Sequence, residues 1–69
     1  MIFPNSDALL WQESDWRCEL HDGGAGVCRL FVYRGDILAA VESAPTGHPA
    51  HVRAEVLRQR ALGGHLTTN

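Results

Sequence analysis

The sequence of 69 residues contains no lysine, and its six basic residues are all arginine. Eight acidic residues leave a net charge of −2 at neutral pH. Proteins that bind nucleic acid or anionic membranes mainly through charge carry a clear excess of basic residues. The composition therefore argues against that class. The absence of lysine fits GC-rich codon usage, since alanine, glycine and arginine are all frequent.

Cysteine is scarce and long apolar runs are missing. Cys18 and Cys28 are too few for the disulfide framework of a small secreted protein. No run approaches the ~20 apolar residues of a membrane span. The first seven residues show no basic segment followed by an apolar one, as a secretion signal would. We therefore expect a cytoplasmic protein with reduced thiols and no membrane partner.

The short chain limits how much apolar surface a monomer can bury. A domain of this size buries only about 60% of its unfolded surface. Its core rarely contributes more than roughly 3–5 kcal/mol, so small folds often depend on oligomerisation, disulfides or metals. The apolar fraction of 45% is that of a globular protein. We therefore expect one domain over residues 1–69 that gains stability by self-association.

The strongest local pattern is a hairpin between residues 27 and 42, where two apolar runs flank Gly35 and Asp36. Glycine at the first central position favours a type II′ turn, whose twist matches the flanking strands. The predicted register pairs Arg34 with Ile37, Val32 with Ala39, Leu30 with Val41, and Arg29 with Glu42 as an ion pair.

A second strand is predicted over residues 16–22, where apolar and polar residues alternate. The glycine-rich residues 22–26 form the next hairpin loop. This gives a three-stranded antiparallel meander within residues 8–43. Residues 8–12 are compatible with one helical turn or a fourth strand, and we favour the strand. We expect residues 1–7 to be a lead-in whose Ile2 and Phe3 dock onto the domain.

A C-terminal helix is predicted over residues 49–62, with Pro49 in its first turn and Gly63–Gly64 as its stop. We expect residues 65–69 to be a tail after the helix. Glu55 and Arg58 are spaced to form an ion pair on the solvent side. The predicted buried stripe consists of Ala50, Ala54, Leu57 and Ala61, widened by Val52 and Val56. The expected fold class is therefore α+β, with two layers: the meander and one helix.

Both faces of the predicted sheet are apolar. One face contains Cys28, Leu30, Val32, Ile37, Ala39 and Val41. The other contains Phe31, Tyr33, Leu38 and Ala40. Because a single helix covers only one face, the other needs the N-terminal segment, a partner or a ligand.

Aromatic residues are the main candidates for an interface, because they are enriched at binding hot spots. The predicted interface residues are Trp11, Trp16, Phe31, Tyr33 and Leu38. The expected partner is a second copy or a larger protein. In the competing interpretation, residues 1–13 fold back over this face within one chain.

Nucleic-acid binding is the alternative function, through Arg34, Arg53, Arg58 and Arg60. Arginines beside the strand aromatics Phe31 and Tyr33 resemble a platform for single-stranded nucleic acid. The acidic balance of the chain and nearby glutamates argue against it.

No pattern predicts catalysis, a cofactor or a metal. The sequence has no nucleophile elbow, phosphate loop or cofactor fingerprint. The spacing of Cys18, His21 and Cys28 fits no standard zinc knuckle, and His48 with His51 at the helix start is the better half-site for a metal. With a three-residue loop the two cysteines become diagonal neighbours, too far apart to bridge. We therefore predict a non-catalytic domain without cofactor or metal.

Overall fold

The computed structural model describes residues 8–64, which form an antiparallel sheet of four strands and one helix. The elements are β1 (Ala8–Glu13), β2 (Trp16–Asp22), β3 (Val27–Arg34), β4 (Ile37–Pro45) and α1 (His48–Leu62). Each strand pairs with the next one along the chain. The helix packs on one face, which confirms the predicted two-layer α+β fold. The predictions for residues 1–7 and 65–69 lie outside the described residues.

The β3–β4 hairpin begins as predicted and then changes register. Gly35 has a φ of +60°, as the first position of a type II′ turn requires, and Arg34 lies opposite Ile37. A bulge at Ala39 then inserts one residue into β4, so that Val32 lies opposite Ala40. The three predicted pairs beyond this point are therefore wrong by one residue, because a bulge moves the following side chains to the opposite face.

The bulge has two consequences for β4. Val41 lies opposite Phe31, on the face away from the helix, whereas the sequence predicted it on the face of Leu30. The predicted ion pair between Arg29 and Glu42 is also wrong. Glu42 lies opposite Leu30 on the helix side, and Arg29 lies opposite Ser43.

β1 extends the sheet as a fourth strand. It pairs with β2, with an irregularity at Leu10. The competing interpretation, that residues 1–13 cover the second face, is wrong for residues 8–13, because these residues add to the sheet edge instead. Its residues 1–7 lie outside the described residues. The β1–β2 turn is tied to the β3–β4 turn, since Gly35 N donates to Asp15 O at 2.7 Å.

The core lies between the sheet and the helix. Its buried residues are Trp16, Cys18, Cys28, Leu30, Val32, Ala44, Ala50, Ala54, Leu57 and Ala61. The helix contributes the predicted stripe of three alanines and Leu57, and the small alanines allow it to approach the sheet closely. Val52 is 49% exposed, so the predicted widening of the stripe is wrong at that position.

Replacing Leu30 by alanine tests the core. Leu30 is fully buried, and removing its buried carbons should lower the free energy of unfolding by about 2–5 kcal/mol. Val52→Ala is the exposed control, expected to change it by less than about 0.5 kcal/mol. Urea unfolding followed by tryptophan fluorescence measures both variants. If the two substitutions lower the free energy of unfolding equally, Leu30 does not belong to the buried core.

The β2–β3 loop contains an alanine in a conformation that glycine adopts more easily. Ala25 has a φ of +55°, and Gly24 beside it has a φ of +77°. The left-handed region costs a non-glycine residue roughly 1–2 kcal/mol, whereas glycine loses more chain entropy on folding. Ala25→Gly should therefore raise the free energy of unfolding by about 0.5 kcal/mol.

The matched control for Ala25→Gly is Gly24→Ala, which should lower stability because it places a Cβ at positive φ. Thermal unfolding of both variants gives the comparison. A loss of stability in Ala25→Gly would show that this loop conformation is not strained at Ala25.

Candidate interaction surface

The helix leaves one face of the sheet uncovered, here called the open face. By strand alternation and register, its side chains are those of Leu9, Gln12, Arg17, Glu19, His21, Val27, Arg29, Phe31, Tyr33, Leu38, Val41, Ser43 and Pro45.

Four of these residues form a contiguous apolar patch across β3 and β4. Phe31 lies opposite Val41, and Tyr33 lies opposite Leu38; we call these four residues the β3–β4 patch. Leu38 and Val41 are each 46% exposed, and the two aromatic residues are half-buried. The patch therefore presents large apolar side chains to solvent on adjacent strands.

Stacking contacts order the aromatic half of this patch. The ring of His21 meets Phe31 edge-on at 4.6 Å between centroids, and Phe31 stacks with Tyr33 at 6.4 Å. The guanidinium carbon of Arg17 lies 4.4 Å from the centroid of the Tyr33 ring. Since these contacts already restrict the rings, binding through them loses less side-chain entropy.

A charged row on β2 runs beside the patch. Arg17 Nε lies 2.9 Å from Glu19 Oε2, and His21 Nε2 lies 3.0 Å from Glu19 Oε1. Arg17 also donates from Nη1 to the carbonyl oxygen of Gly35 at 2.9 Å. The hydrogen bond from Arg17 is the largest cause that lowers the pKa of Glu19, and the hydrogen bond with His21 is the next largest. The open face therefore has a charged row on β2 beside the β3–β4 patch, and Arg29 of β3 lies on the same face.

The structure divides the predicted interface residues between the two faces. Phe31, Tyr33 and Leu38 lie on the open face. Trp16 is only 6% exposed, and Trp11 donates from Nε1 to the carbonyl oxygen of Ala54 at 2.9 Å. Both tryptophans therefore belong to the helix side. The alternation of β2 already signalled this for Trp16, which it groups with Cys18.

The sequence did not identify Val41 as part of this surface. It placed Val41 on the core face, because the bulge in β4 has no clear local signature.

Three of the predicted nucleic-acid-binding arginines bind carboxylates within the chain. Arg34 Nε lies 3.0 Å from Asp15 Oδ2, and this contact lowers the pKa of Asp15. Arg58 bonds to Glu55, as predicted, and also to Glu13.

Arg53 and Arg60 both interact with the carboxylate of Glu42. Arg53 holds Glu42 with two hydrogen bonds, one from Nη2 to Oε2 at 3.0 Å. The charge of Arg60 also lowers the pKa of Glu42. Neither arginine lies on the open face with Phe31 and Tyr33.

The two thiols are buried and separate. Cys18 lies opposite Val32, whereas Cys28 lies opposite Asp22, which is four residues further along the pairing. The spacing is then about 13 Å along the strands. The prediction that they are diagonal neighbours is wrong, because four residues rather than three connect β2 and β3. Both are free, and burial raises the pKa of Cys18 to about 11.

No metal-binding group was found among residues 8–64, where no three histidine, cysteine or acidic side chains are arranged to hold an ion. A pocket of about 240 Å³ is lined by Ala8, Leu9, Glu19 and His21. The carboxylate of Glu19 is already engaged by Arg17 and His21.

Comparisons with known proteins yield no relationship. No protein-family model matches the chain, and no match was found among curated proteins or solved structures. Within residues 8–64, the helix is not of the length and apolarity needed to cross a membrane.

Glu42→Gln tests the ion pair that joins β4 to the helix. The hydrogen bond from Arg53 is the main cause of the lowered pKa of Glu42. A carboxyl group with a lowered pKa stabilises the fold above its unfolded pKa, and this contribution is lost as pH falls through the folded pKa. At neutral pH we expect Glu42→Gln to lower the free energy of unfolding by about 0.5–1 kcal/mol.

Urea unfolding of both proteins between pH 7 and about pH 3 measures this effect, and the two curves should converge at acid pH. Glu55→Gln is the control. It should lower the free energy of unfolding by less, because Arg58 keeps its hydrogen bond to Glu13 when Glu55 is replaced. A difference that persists at acid pH would show that the charge of Glu42 is not responsible.

Proposed function

We propose that this chain is a small, non-catalytic protein-interaction module that self-associates through the open face of its sheet. The observation that carries the proposal is the β3–β4 patch, which the helix does not cover. Leu38 and Val41 are about half exposed there, beside two ordered aromatic rings. Large aromatic residues in such a setting are typical of binding hot spots.

The free energy available from covering this patch favours association. Full burial of a large apolar side chain is worth roughly 1.5–3 kcal/mol. The described core contains few large aliphatic residues, Leu30 and Leu57 being the largest that are fully buried. A second copy would therefore add burial that the small core does not supply. A symmetric homodimer is the commonest closed arrangement.

Nucleic-acid binding through Arg34, Arg53, Arg58 and Arg60 has weaker support. Three of these arginines already bind carboxylates, and a phosphate would have to compete with that contact. They also lie apart from the aromatic pair that would stack on bases. We keep this function as the alternative, and it predicts binding that weakens steeply with salt.

Leu38→Glu and Ile37→Glu test the proposed function as a matched pair. These neighbouring residues are 46% and 53% exposed and point to opposite faces of β4. Glutamate at position 38 should abolish self-association, because a charge would be buried in the interface. Glutamate at position 37 should leave it intact. Sedimentation velocity of the full chain over a concentration series measures both.

The concentration series of the wild-type protein shows whether the chain self-associates. A dimer that dissociates on dilution, lost only in Leu38→Glu, would support the proposal. A wild-type monomer at every concentration would contradict self-association, and equal effects of both variants would place the interface elsewhere. Salt-sensitive retention on single-stranded DNA would favour the alternative.

A further inference from the structure

We infer that β1 is an exchangeable strand: two copies of the chain trade it, so that β1 of one copy pairs with β2 of the other. This dimer does not use the open face and goes beyond the proposed function. Exchange replaces each contact of β1 by the same contact in the second copy, so the two states differ mainly where β1 joins β2. Because β1 must open before it exchanges, this dimer forms and dissociates slowly.

β1 is the strand that the core holds least. None of its six residues is buried, and Leu9 is 55% exposed. β2, β3 and β4 each contribute at least one residue to the core. β1 is also an outer strand, paired only with β2 within residues 8–64, and its pairing shifts at Leu10. Elements with few buried contacts open at a lower free energy than the core, so β1 separates before the other strands.

The connection between β1 and β2 is short and strained. It consists of Ser14 and Asp15. Ser14 has a φ of +56°, which is unfavourable for a residue other than glycine. Asp15 is held by the β3–β4 turn, because its carbonyl oxygen accepts from Gly35 N and its carboxylate bonds to Arg34. In the exchanged dimer β1 continues in the direction of β2, and Ser14 becomes extended. Short hinges under strain favour exchange between copies for this reason.

Two contacts with the helix identify β1 of a second copy as the strand that binds. Trp11 Nε1 donates to the carbonyl oxygen of Ala54 at 2.9 Å, and Glu13 Oε1 lies 2.6 Å from Arg58 Nη1. A strand of another sequence at the β2 edge would lack this indole and this carboxylate. β1 of a second copy restores both contacts, including the charge complementarity with Arg58.

A mixed disulfide between two full-length chains tests the exchange. Ala8 lies opposite Leu20, and Leu20 lies on the same face as the buried Cys18, so contact between open faces does not bring this pair together. We mix Ala8→Cys chains with Leu20→Cys chains enriched in heavy nitrogen, incubate the mixture and then oxidise it. Opposite residues on paired strands are close enough to bridge. Mass spectrometry without reductant identifies the mixed dimer.

Three controls accompany the mixture. Ala8→Cys and Leu20→Cys combined in one dilute chain should close an intrachain disulfide, which shows that the pair can bridge. Each single variant incubated alone gives the background from Cys18 and Cys28. Leu38→Glu added to both chains should leave the mixed dimer unchanged, although it disrupts the open face. If Leu20→Cys does not fold, the opposite pair Leu9→Cys and Glu19→Cys replaces it in the Leu38→Glu background.

Ser14→Gly and Ala25→Gly form a matched pair, since Ser14 and Ala25 are the non-glycine residues with positive φ within residues 8–64. Glycine adopts this conformation without strain. Ser14→Gly in both chains should therefore lower the yield of mixed dimer at least about fivefold. Ala25→Gly relieves the same kind of strain in the β2–β3 loop and should leave the yield unchanged.

A mixed dimer that falls in Ser14→Gly alone would support the inference. No mixed dimer, when the double variant closes its intrachain disulfide, would overturn it. An equal yield in Ser14→Gly, or a loss of mixed dimer in Leu38→Glu, would overturn it as well. A double variant that forms no intrachain disulfide would contradict the β1–β2 pairing on which the inference rests. If the wild type sediments as a monomer but the mixed dimer forms, the proposed function fails and strand exchange stands.

Discussion

The bulge at Ala39 determines which side chains of β4 face the helix. Strand side chains alternate, so one inserted residue exchanges the two faces for the rest of the strand. Ala44 consequently packs in the core opposite Cys28, and Glu42 reaches Arg53 on the helix. The same exchange moves Val41 outward, where it completes the β3–β4 patch. The ion pair that holds β4 to the helix and the candidate binding surface therefore depend on the same bulge.

Much of the fold could be predicted from the sequence, because its signals are local. The alternation of β2, the glycine at the first position of the β3–β4 turn and the helical stripe from Ala50 to Ala61 each act over a few residues. The bulge could not be predicted in this way, since it depends on how β4 packs against the helix and β3 together. For this reason, the sequence assigned Glu42 to Arg29 rather than to Arg53.

The candidate surface was only partly predictable. Phe31, Tyr33 and Leu38 follow from the hairpin register before the bulge, whereas Val41 lies beyond it. The interface prediction includes Trp11 and Trp16 because they are aromatic, although strand alternation places Trp16 on the same face as Cys18. The arginines show a similar limit. The pair of Arg58 with Glu55 is local and follows from the sequence, whereas the partners Glu13, Asp15 and Glu42 are distant in the sequence. Three of the four arginines predicted to bind nucleic acid are therefore already paired with carboxylates.

The two buried thiols lie in different parts of the sheet. Cys18 is on β2 next to Trp11 of β1, and Cys28 is on β3 next to Ala44 of β4. A thiol reagent can reach either sulfur only when the surrounding strands separate. The ratio of their labelling rates therefore reports whether the β1–β2 half opens by itself or the whole domain opens as one cooperative unit.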